Sequence, residues 1–461
     1  MRLTARSPVA VSPAAALSWC RRPAALRRLT PPSGWIELLR ESTGDRPVFH
    51  VRAGALRGRL VIERSWADRP PRLVERQIEG PFSRWEQVTT AEPRGAGGAT
   101  LVDEVHVACR LASERCIERR LEEQYDWRHR VAAGDLARHA RFADRASLVI
   151  AVSGASGLVG SSLADFLEAG GQRVLRLTRG AAPGPGAVRW DPAAGVIDAE
   201  ALAGVDAVVH LAGESVAGGR WTRARKEAIR GSRLEGTRLL AETLARLERP
   251  PAVLVQASAI GYYGDRGEEP LDESSAAGSG FLAETCREWE AASLAAEQAG
   301  VRVVRLRIGV VLAARGGALA KMLLPFRLGL GGRLGSGKQL MSWIALDDLV
   351  GIVQHAIFDP SLSGAVNATA PTAARNVEFT RVLGAVLRRP TALPVPAFAL
   401  RLLFGEMGRE LLLAGALVRP ARLERAGFRF LHADLESALR FELGLADPRT
   451  RTAEIRIDRP R

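Results

Sequence analysis

The sequence is poor in lysine, tyrosine and cysteine. Its 461 residues include only four cysteines and three tyrosines. The cysteines form no C-x-x-C pair, which predicts free thiols in a reducing compartment and excludes a disulfide framework. No apolar run reaches the roughly 18 residues that a membrane helix needs, and the run at Ala14–Leu17 is too short for a signal peptide. We therefore expect a cytoplasmic protein with no membrane span.

Arginine supplies almost all of the positive charge. The formal net charge is +14, and lysine occurs only at Lys226, Lys321 and Lys338. A basic balance can attract nucleic acid, anionic membranes or phosphorylated ligands. The arginines are scattered through every segment with no long block, however. This distribution favours a basic solvated surface and predicts no nucleic-acid partner.

The character of the chain changes near residues 143–147. Before this point, short β-type runs such as Val48–Val51 and Thr100–Val107 are separated by glycine and proline. Helices are predicted near Pro13–Leu26 and Cys109–Trp127. This pattern is typical of an α+β domain with an antiparallel sheet, which we assign to residues 1–145.

After Ala146, strand and helix patterns alternate. Apolar runs occur at Leu148–Val152, Gln172–Thr178, Val205–Ala212, Ala252–Ala257 and Val301–Leu306, and long helical patterns lie around Thr222–Leu247 and Leu282–Ala299. Such alternation predicts an α/β doubly wound Rossmann fold with a parallel sheet. We assign this domain to residues 148–375, and a small, mainly helical domain to residues 376–447.

Three glycines directly follow the first strand of this region. In a dinucleotide-binding turn the first, Gly154, permits the tight turn, and the second, Gly157, lets the backbone approach a pyrophosphate. The third, Gly160, lets the following helix lie against the sheet, and the N-terminus of that helix attracts phosphate. The predicted cofactor-binding loop comprises Gly154, Ser156, Gly157, Leu158, Val159 and Gly160.

The end of the second strand carries no acidic residue. An NAD enzyme usually has Asp or Glu ~20 residues past the glycines to bind the ribose hydroxyls. Here the stretch from Gln172 to Trp190 has none, and Thr178 and Arg179 stand at that position. The guanidinium of Arg179 suits a 2′-phosphate, so the sequence favours NADP over NAD.

The third strand ends at His210, Leu211, Ala212 and Gly213. Small residues at this point would let a cofactor pass over the strand ends, so Leu211, Ala212 and Gly213 are predicted to contact it. A histidine at the end of a buried strand is more often a core residue than a catalytic base. We therefore expect a structural role for His210.

These motifs resemble the extended short-chain dehydrogenase/reductase superfamily, and within it the epimerase-family branch related to the nucleoside-diphosphate-sugar epimerases. The resemblance rests on Gly154–Gly160, on His210–Gly213, on Ser258 followed by Tyr263-Gly264, and on stretches such as Gly231–Thr237. The tail from Leu393 resembles the small domain of that branch. The resemblance implies a cofactor pocket lined by Thr178, Arg179, Leu211, Ala212 and Arg233.

The N-terminal part is similar to START-like polyketide cyclase or coenzyme-Q-binding domains. The similarity rests on Leu29–Pro32, on Glu79–Phe82 with Trp85, and on Asp135 with His139. Such domains curl a sheet around a long helix and enclose an apolar cavity. The resemblance therefore implies an apolar ligand in this domain, with a simply filled core as the alternative.

The sequence departs from the superfamily at its catalytic pair. Most members use Tyr-x-x-x-Lys, in which the lysine lowers the pKa of the tyrosine. No Tyr-x-x-x-Lys occurs in this sequence. The open substitutes are the phenol of Tyr263, the carboxyl of Glu284 if burial raises its pKa, and the thiol of Cys286. Ser258 is the favoured catalytic candidate, because a hydroxyl at a strand end can bond a substrate oxygen.

The sequence predicts no metal site. Asp347 and Asp348 suggest metal ligands, but Asp at the start of a helix is usually a cap, and no Cys/His cluster suggests zinc. Lys338, in a glycine-rich loop, is a candidate contact to an anionic substrate, although a solvated lysine is the simpler interpretation.

Two hypotheses of different class follow. The first is an NADP-dependent oxidoreductase or epimerase that acts on an unknown small metabolite, with a sugar nucleotide as one candidate. The second is a catalytically weak NADP-binding sensor whose START-like module binds a hydrophobic ligand. Nucleic-acid association through the basic surface is a third and weaker hypothesis.

Overall fold

The computed structural model describes residues 1–32, 35–39, 45–53, 56–109, 114–180, 184, 186–447, 449 and 451–458. The chain forms two compact units. Unit 1 comprises Met1–Ala146, Asp165–Gly171 and Arg440–Arg461, and unit 2 comprises Ser147–Ala164 and Gln172–Leu439. Among the residues so described, no helix is long and apolar enough to cross a bilayer.

Unit 1 is an antiparallel sheet with helices. Its elements are β1 (Arg2–Val9), α1 (Pro13–Arg21), α2 (Pro23–Arg28), β2 (Ile36–Leu38), β3 (Val48–Ala53), β4 (Leu56–Asp68), β5 (Pro71–Glu79), β6 (Arg84–Arg94), β7 (Gly98–Ala108), α3 (Glu114–Ala140) and a C-terminal strand at Glu454–Asp458. The eight strands follow the order β2-β3-β4-β5-β6-β7-β1, with the C-terminal strand next to β1. The predicted α+β architecture is therefore confirmed.

Two helix predictions for unit 1 need correction. The single helix expected over Pro13–Leu26 is broken at Arg22, because Pro23 has no N–H to continue the hydrogen-bond ladder and instead begins α2. The second helix does not end at Trp127 but continues to Ala140. Leu121, Val131 and Leu136 along it are all buried.

Buried polar side chains link β1, β6, β7 and α3 inside unit 1. The Ser7 hydroxyl lies 2.6 Å from Nδ1 of His129, and Nε2 of His129 lies 3.3 Å from Asp103. Thr89 donates to Asp103 at 2.5 Å, and Arg64 donates to Glu75 at 2.8 Å. Most of these groups line a cavity of about 10 Å³, room for about one water molecule. Leu26, Leu73 and Leu101 line it as well, so its walls are mixed, and its small size differs from the ligand cavity that the resemblance implies.

Unit 2 alternates strands and helices as predicted. Its elements are β8 (Val149–Ser153), α4 (Leu158–Ala169), β9 (Arg173–Thr178), β10 (Ala187–Asp191), β11 (Val196–Ile197), β12 (Ala207–His210), α5 (Arg223–Arg246), β13 (Val253–Ala259), β14 (Pro270–Leu271), α6 (Phe281–Ala291), α7 (Leu294–Gln298), β15 (Arg302–Ile308), β16 (Val310–Leu312), α8 (Gly317–Arg327), β17 (Leu340–Met341), β18 (Trp343–Ala345), α9 (Leu346–Phe358), β19 (Gly364–Ala368), β20 (Ala374–Arg375), α10 (Asn376–Leu387), α11 (Ala397–Phe404), β21 (Leu417–Val418), α12 (Ala421–Arg425) and α13 (Leu435–Glu442).

The main sheet of unit 2 has the order β11-β10-β9-β8-β12-β13-β15-β19. All of its pairings are parallel except that between β10 and β11. The strand order reverses between β8 and β12, and ligands of doubly wound sheets bind at such a reversal, beyond the carboxyl ends of the strands. The Rossmann-type prediction is confirmed. The segment after β19 is mainly helical, as expected, and includes a π-helix at Gly408–Leu413.

Candidate functional site

The glycine turn connects β8 to α4 at the reversal of strand order. Gly154 has a φ of +67°, and a Cβ there would lie 2.9 Å from the backbone nitrogen of Ala212. A Cβ on Gly160 would overlap the carbonyl oxygen of Gly154. Because both collisions are with backbone atoms, glycine is required at these positions. The turn thus provides the close backbone packing expected of a phosphate-binding loop.

The remaining residues of the predicted loop surround this turn. Ser156 and Gly157 are exposed, whereas Leu158 and Val159 are half-buried in the first turn of α4. A Cβ on Gly316 would lie 3.3 Å from the Leu158 side chain, so Leu158 faces the loop that precedes α8. The exposed backbone of the turn is the surface that a pyrophosphate would approach.

The register of the parallel sheet brings the other predicted residues to the same edge. Ser153 pairs with Leu177 on one side and with His210 on the other. The residues that follow these three, Gly154, Thr178 and Leu211, therefore lie at the same level along the sheet. Leu211 and Ala212 are half-buried and Gly213 is exposed. Thr178, Arg179, Leu211, Ala212 and Gly213 therefore lie around the glycine turn.

A buried serine holds two of these strand ends together. The hydroxyl oxygen of Ser153 accepts hydrogen bonds from the N–H groups of Leu211 at 3.1 Å and Ala212 at 3.3 Å. It also lies 2.6 Å from Nδ1 of His210, which is fully buried. Burial lowers the pKa of His210 to about 4. His210 is thus a neutral core residue, as expected. Sequence reasoning missed Ser153, although a serine in an otherwise apolar strand was a signal.

Arg179 is an exposed cation at this edge. Its side chain is exposed at the end of β9, and it makes no hydrogen bond or ion pair with any residue that the structure describes. Arg233 on α5 is more constrained. Its Nη1 donates to the carbonyl oxygens of Glu214 and Ile229 at 2.9 Å each, and its guanidinium lies 4.9 Å from the Trp289 ring centre. A Cβ on Gly213 would lie 3.4 Å from this guanidinium, so Arg233 borders the predicted cofactor path.

Ser258 belongs to an ionic network at the ends of β13 and β15. Its hydroxyl donates to Oε1 of Glu290 on α6 at 2.7 Å. Nε and Nη2 of Arg307 donate to the two oxygens of the same carboxylate at 2.9 Å each. Ser258 and Arg307 are direct register partners, which explains their proximity. Sequence reasoning missed Glu290 and Arg307, although an arginine in a buried apolar strand was a signal.

Tyr263 lies at the other end of this network. Its hydroxyl accepts from Nη1 of Arg307 at 2.9 Å and lies 2.7 Å from Oδ1 of Asn367 and 2.9 Å from the carbonyl oxygen of Asp272. Burial raises the pKa of the phenol, although Arg307 opposes that effect. The side chain is fully buried. This arrangement favours a positioning role, while direct catalysis by Tyr263 stays a prediction.

Glu284 and Cys286 lie on α6 with different environments. Glu284 is exposed, so the burial that its acid–base hypothesis requires is absent. Cys286 is buried, and burial raises the pKa of its thiol to about 12, which disfavours the thiolate. The structure therefore favours neither as a catalytic group, and the proposed role of Glu284 stays a prediction.

Glu410 was not foreseen, because its partner lies about 130 residues away in sequence. It is in the π-helix, and its carboxylate accepts from the N–H groups of Phe281 at 3.2 Å and Leu282 at 3.1 Å. These are the first two residues of α6. A carboxylate at a helix N-terminus satisfies free N–H groups and complements the helix dipole. Glu410 thus fixes the start of the helix that carries Glu290.

The two aspartates considered as metal ligands do not form a metal cluster. Asp348, in the first turn of α9, accepts from the backbone N–H groups of Leu431 and His432 at 2.9 Å each. The N-cap position of α9 is Ala345, which has no side-chain cap, so the capping prediction needs correction. Within the described ranges, no group of three or more His, Cys, Asp or Glu side chains could hold a metal ion. Lys338 is exposed in its loop.

Family comparison agrees with this geometry. Residues 150–367 match the NAD dependent epimerase/dehydratase family, and residues 395–442 match a domain of unknown function, DUF1731. The epimerase family protein Mb2239 of Mycobacterium bovis is 46% identical over 294 residues, covering 64% of this chain and 97% of the relative. The chain belongs to the NAD-dependent epimerase/dehydratase family. The predicted epimerase-family membership is confirmed.

Other members of the family extend the comparison. The human epimerase family protein SDR39U1 is 38% identical over 294 residues, which are 63% of this chain and 98% of the human protein. A crystal structure of human SDR39U1 isoform 2 with NADPH has a TM-score of 0.59 and 36% identity, and the match covers 64% of this chain and 99% of that one. The Corynebacterium glutamicum nucleoside-diphosphate sugar epimerase has a TM-score of 0.79 and 31% identity, with 97% of this chain and 94% of that chain covered.

Proposed function

We propose that this protein is an NADP-dependent oxidoreductase or epimerase that acts on a small metabolite. The observation that carries the proposal is the exposed guanidinium of Arg179 beside the glycine turn at the reversal of strand order. A dinucleotide fits here because glycine at positions 154 and 160 permits a tight turn, whose exposed residues Ser156 and Gly157 lead directly into the N-terminus of α4. The NADPH in the structure of human SDR39U1 supports the choice of cofactor.

Each part of the predicted cofactor site would bind a different part of NADP. The glycine turn, with Ser156, Leu158 and Val159, would hold the pyrophosphate, and Arg179 with Thr178 would hold the 2′-phosphate. Leu211, Ala212 and Gly213 would form the floor beneath the cofactor, fixed by Ser153. Arg233 would present its remaining N–H groups beyond Gly213.

When bound, NADP supplies hydride exchange between C4 of the nicotinamide and a carbon that bears oxygen. In this proposal Ser258 binds that substrate oxygen, and the network of Glu290, Arg307 and Tyr263 holds Ser258 in place. An epimerase would return the hydride to the same molecule and show no net redox. The family relationship to a nucleoside-diphosphate sugar epimerase supports a sugar nucleotide as one substrate to test.

The alternative is an NADP-binding sensor with little catalysis. Two observations favour it: the sequence has no Tyr-x-x-x-Lys, and Tyr263 is buried with its hydroxyl already bonded. In this version residues 1–145 form a START-like module, residues 148–375 bind the cofactor and residues 376–447 form the small C-terminal domain. An antiparallel sheet with the 27-residue helix α3 supports the START-like proposal, whereas a cavity with room for about one water molecule argues against an apolar ligand.

Cofactor titrations test the proposal directly. Replacement of Arg179 by Met should weaken NADPH binding by about 10- to 100-fold and leave NADH binding unchanged, because only NADPH has the 2′-phosphate. Arg173→Met, at the exposed arginine that begins β9 at the opposite end of the strand, is the matched control. Equal affinity of the wild type for NADPH and NADH would overturn the NADP assignment.

A metabolite screen then separates enzyme from sensor. NADPH deuterated at C4 is incubated with the full chain and a panel of sugar nucleotides and small carbonyl compounds. Deuterium in a product, or its exchange into an epimerised substrate, supports an enzyme. Tight NADPH binding without transfer to any compound of the panel or of a cell extract supports the sensor.

A further inference from the structure

The proton of the Ser258 hydroxyl is held by a carboxylate. Its hydrogen bond to Oε1 of Glu290 is 2.7 Å long. An ionised carboxylate has no proton to give, so in this bond Ser258 is the donor. The hydroxyl has a single proton, and its oxygen therefore has only lone pairs left for any other partner.

Arg307 pairs with both carboxylate oxygens of Glu290. Its guanidinium makes two parallel hydrogen bonds to the carboxylate, the planar arrangement that favours charge on both partners. Both side chains are nearly buried, with 5% and 11% of their surface exposed, so water screens the pair only weakly. Burial alone would lower the pKa of Arg307, but the bonds and charge of Glu290 raise it above its usual value.

The guanidinium is itself fixed from two further sides. Its Nη1 donates to the hydroxyl of Tyr263, and its central carbon lies 3.4 Å from the ring centre of Tyr262. Arg307 also sits between Ser258 on β13 and Asn367 on β19 in the sheet register. Neither Glu290 nor Arg307 can turn away without breaking several of these contacts.

We infer that Glu290 and Arg307 are positioning residues that hold Ser258 as a hydrogen-bond acceptor. The substrate group that Ser258 recognises is then a donor, namely the hydroxyl on the reacting carbon. A carbonyl oxygen accepts only and finds no proton at Ser258. The substrate class that binds best is therefore an alcohol rather than a ketone or aldehyde. This inference rests on the proposed function, in which Ser258 faces the substrate oxygen.

A cysteine at position 258 reports the direction of this hydrogen bond without a known substrate. In full-length Ser258→Cys, the carboxylate of Glu290 opposes the thiolate and slows alkylation by iodoacetamide. Adding Glu290→Gln removes that charge and leaves Arg307 unpaired beside the thiol. Alkylation of position 258, followed by peptide mass spectrometry, should then accelerate about 10-fold or more, since a shift of one pKa unit changes the thiolate fraction tenfold.

Glu288→Gln in the same Ser258→Cys background is the matched control. Glu288 lies two residues before Glu290, on a different face of the same helix, and pairs with Arg230 instead, so its replacement should leave the rate unchanged. Position 258 is as buried as Cys20 and Cys286, so only the ratio of the two rates is compared, and equal rates with and without Glu290→Gln would overturn the inference. If neither protein reacts, the KM ratio of the Glu290→Gln single variant decides. NADPH binding, measured separately by fluorescence, tests the proposed function, so the two failures are distinguishable.

The single variant Glu290→Gln provides a second readout if the cysteine variant fails to fold. A glutamine amide can donate to Ser258 and so release the serine proton toward the substrate. For the alcohol and carbonyl pair that the metabolite screen identifies, the ratio of their KM values should shift about 10-fold toward the carbonyl, with a smaller change in kcat. An unchanged ratio would contradict the inference.

Discussion

The hydroxyl oxygen of Ser153 lies 2.6 Å from Nδ1 of His210, across the two strands that flank the predicted cofactor path. Ser153 already accepts from the N–H groups of Leu211 and Ala212. The serine proton is therefore directed to Nδ1 of His210, which must be unprotonated to accept it. The strand ends that would carry the cofactor thus depend on a neutral histidine.

This dependence predicts a loss of stability in acid. Burial lowers the pKa of His210 from 6.5 to about 4 in the folded protein. The unfolded chain binds the proton first as the pH falls, so the stabilisation is complete above pH 6.5 and is lost between pH 6.5 and 4. His210→Asn, which keeps an acceptor near Ser153, should reduce this loss by about 3 kcal/mol. Urea unfolding at a series of pH values measures the change.

The exposed His50 supplies the control for that experiment. His50→Gln should leave the acid sensitivity of the protein as it is in the wild type. Another buried histidine, His139, has its pKa lowered to about 3 by burial, so part of the acid sensitivity will persist in His210→Asn. A wild-type curve and a His210→Asn curve of the same slope between pH 6.5 and 4 would contradict the prediction.

The sequence was sufficient for β8, β9, β12, β13 and β15, because each contains an apolar run of its own, whereas β10, β11 and β19 were not predicted. The helix α5 was likewise expected over Thr222–Leu247, and these two residues are its caps. Sequence patterns were less informative for strands whose partners are far away in the sequence. The strand Glu454–Asp458 pairs with β1 at the opposite end of the sequence, and no local sequence pattern predicts this pairing.

The same limit applies to the candidate site. The spacing of Gly154, Gly157 and Gly160 predicts the turn, because the backbone contacts that favour glycine there are local. Glu290, Arg307 and Glu410 act through partners that only the folded chain brings together. Glu284 was selected from its position on a helix, but the helix turns it toward solvent. Residue type and spacing therefore identified the glycine turn, whereas only the folded chain shows the ionic network around Ser258.

The glycine turn predicts a graded series of alanine variants. In Gly160→Ala the new Cβ would overlap the carbonyl oxygen of Gly154, and backbone atoms can move only by opening the turn. We expect it to abolish detectable NADPH binding and to destabilise the protein by roughly 2–4 kcal/mol. In Gly157→Ala the same oxygen would be 3.2 Å away, so a milder loss of affinity is expected.

Fluorescence titration with NADPH and thermal unfolding measure this series. Gly58→Ala is the control, because a Cβ there makes only ordinary contacts, 3.5 Å or more from Pro81, and the residue lies on β4 of unit 1. Wild-type NADPH affinity in Gly160→Ala would show that the turn does not form the cofactor site.

The carboxylate of Glu410 predicts a link between the C-terminal segment and α6. Glu410→Ala leaves the N–H groups of Phe281 and Leu282 without their acceptor, and loss of a helix cap costs about 0.5–2 kcal/mol. Hydrogen exchange of the first turn of α6 should accelerate correspondingly. Exposed Glu424, in the same C-terminal segment, is replaced by Ala as the control and should change neither quantity. Unchanged exchange in Glu410→Ala would show that α6 does not need this cap.

The four cysteines predict a selective pattern of alkylation. Cys20 and Cys286 are buried, and burial raises the pKa of each thiol to about 12. Cys109 and Cys116 are partly exposed. Because the thiolate is the reactive form, iodoacetamide at pH 8 should modify Cys109 and Cys116 at least about 100-fold faster than the buried pair. Peptide mass spectrometry of the native protein measures the rates, and a sample in urea, where all four should react alike, is the control. Rapid labelling of Cys286 in the native protein would mean that α6 opens readily, which would contradict a rigid Ser258–Glu290 pair.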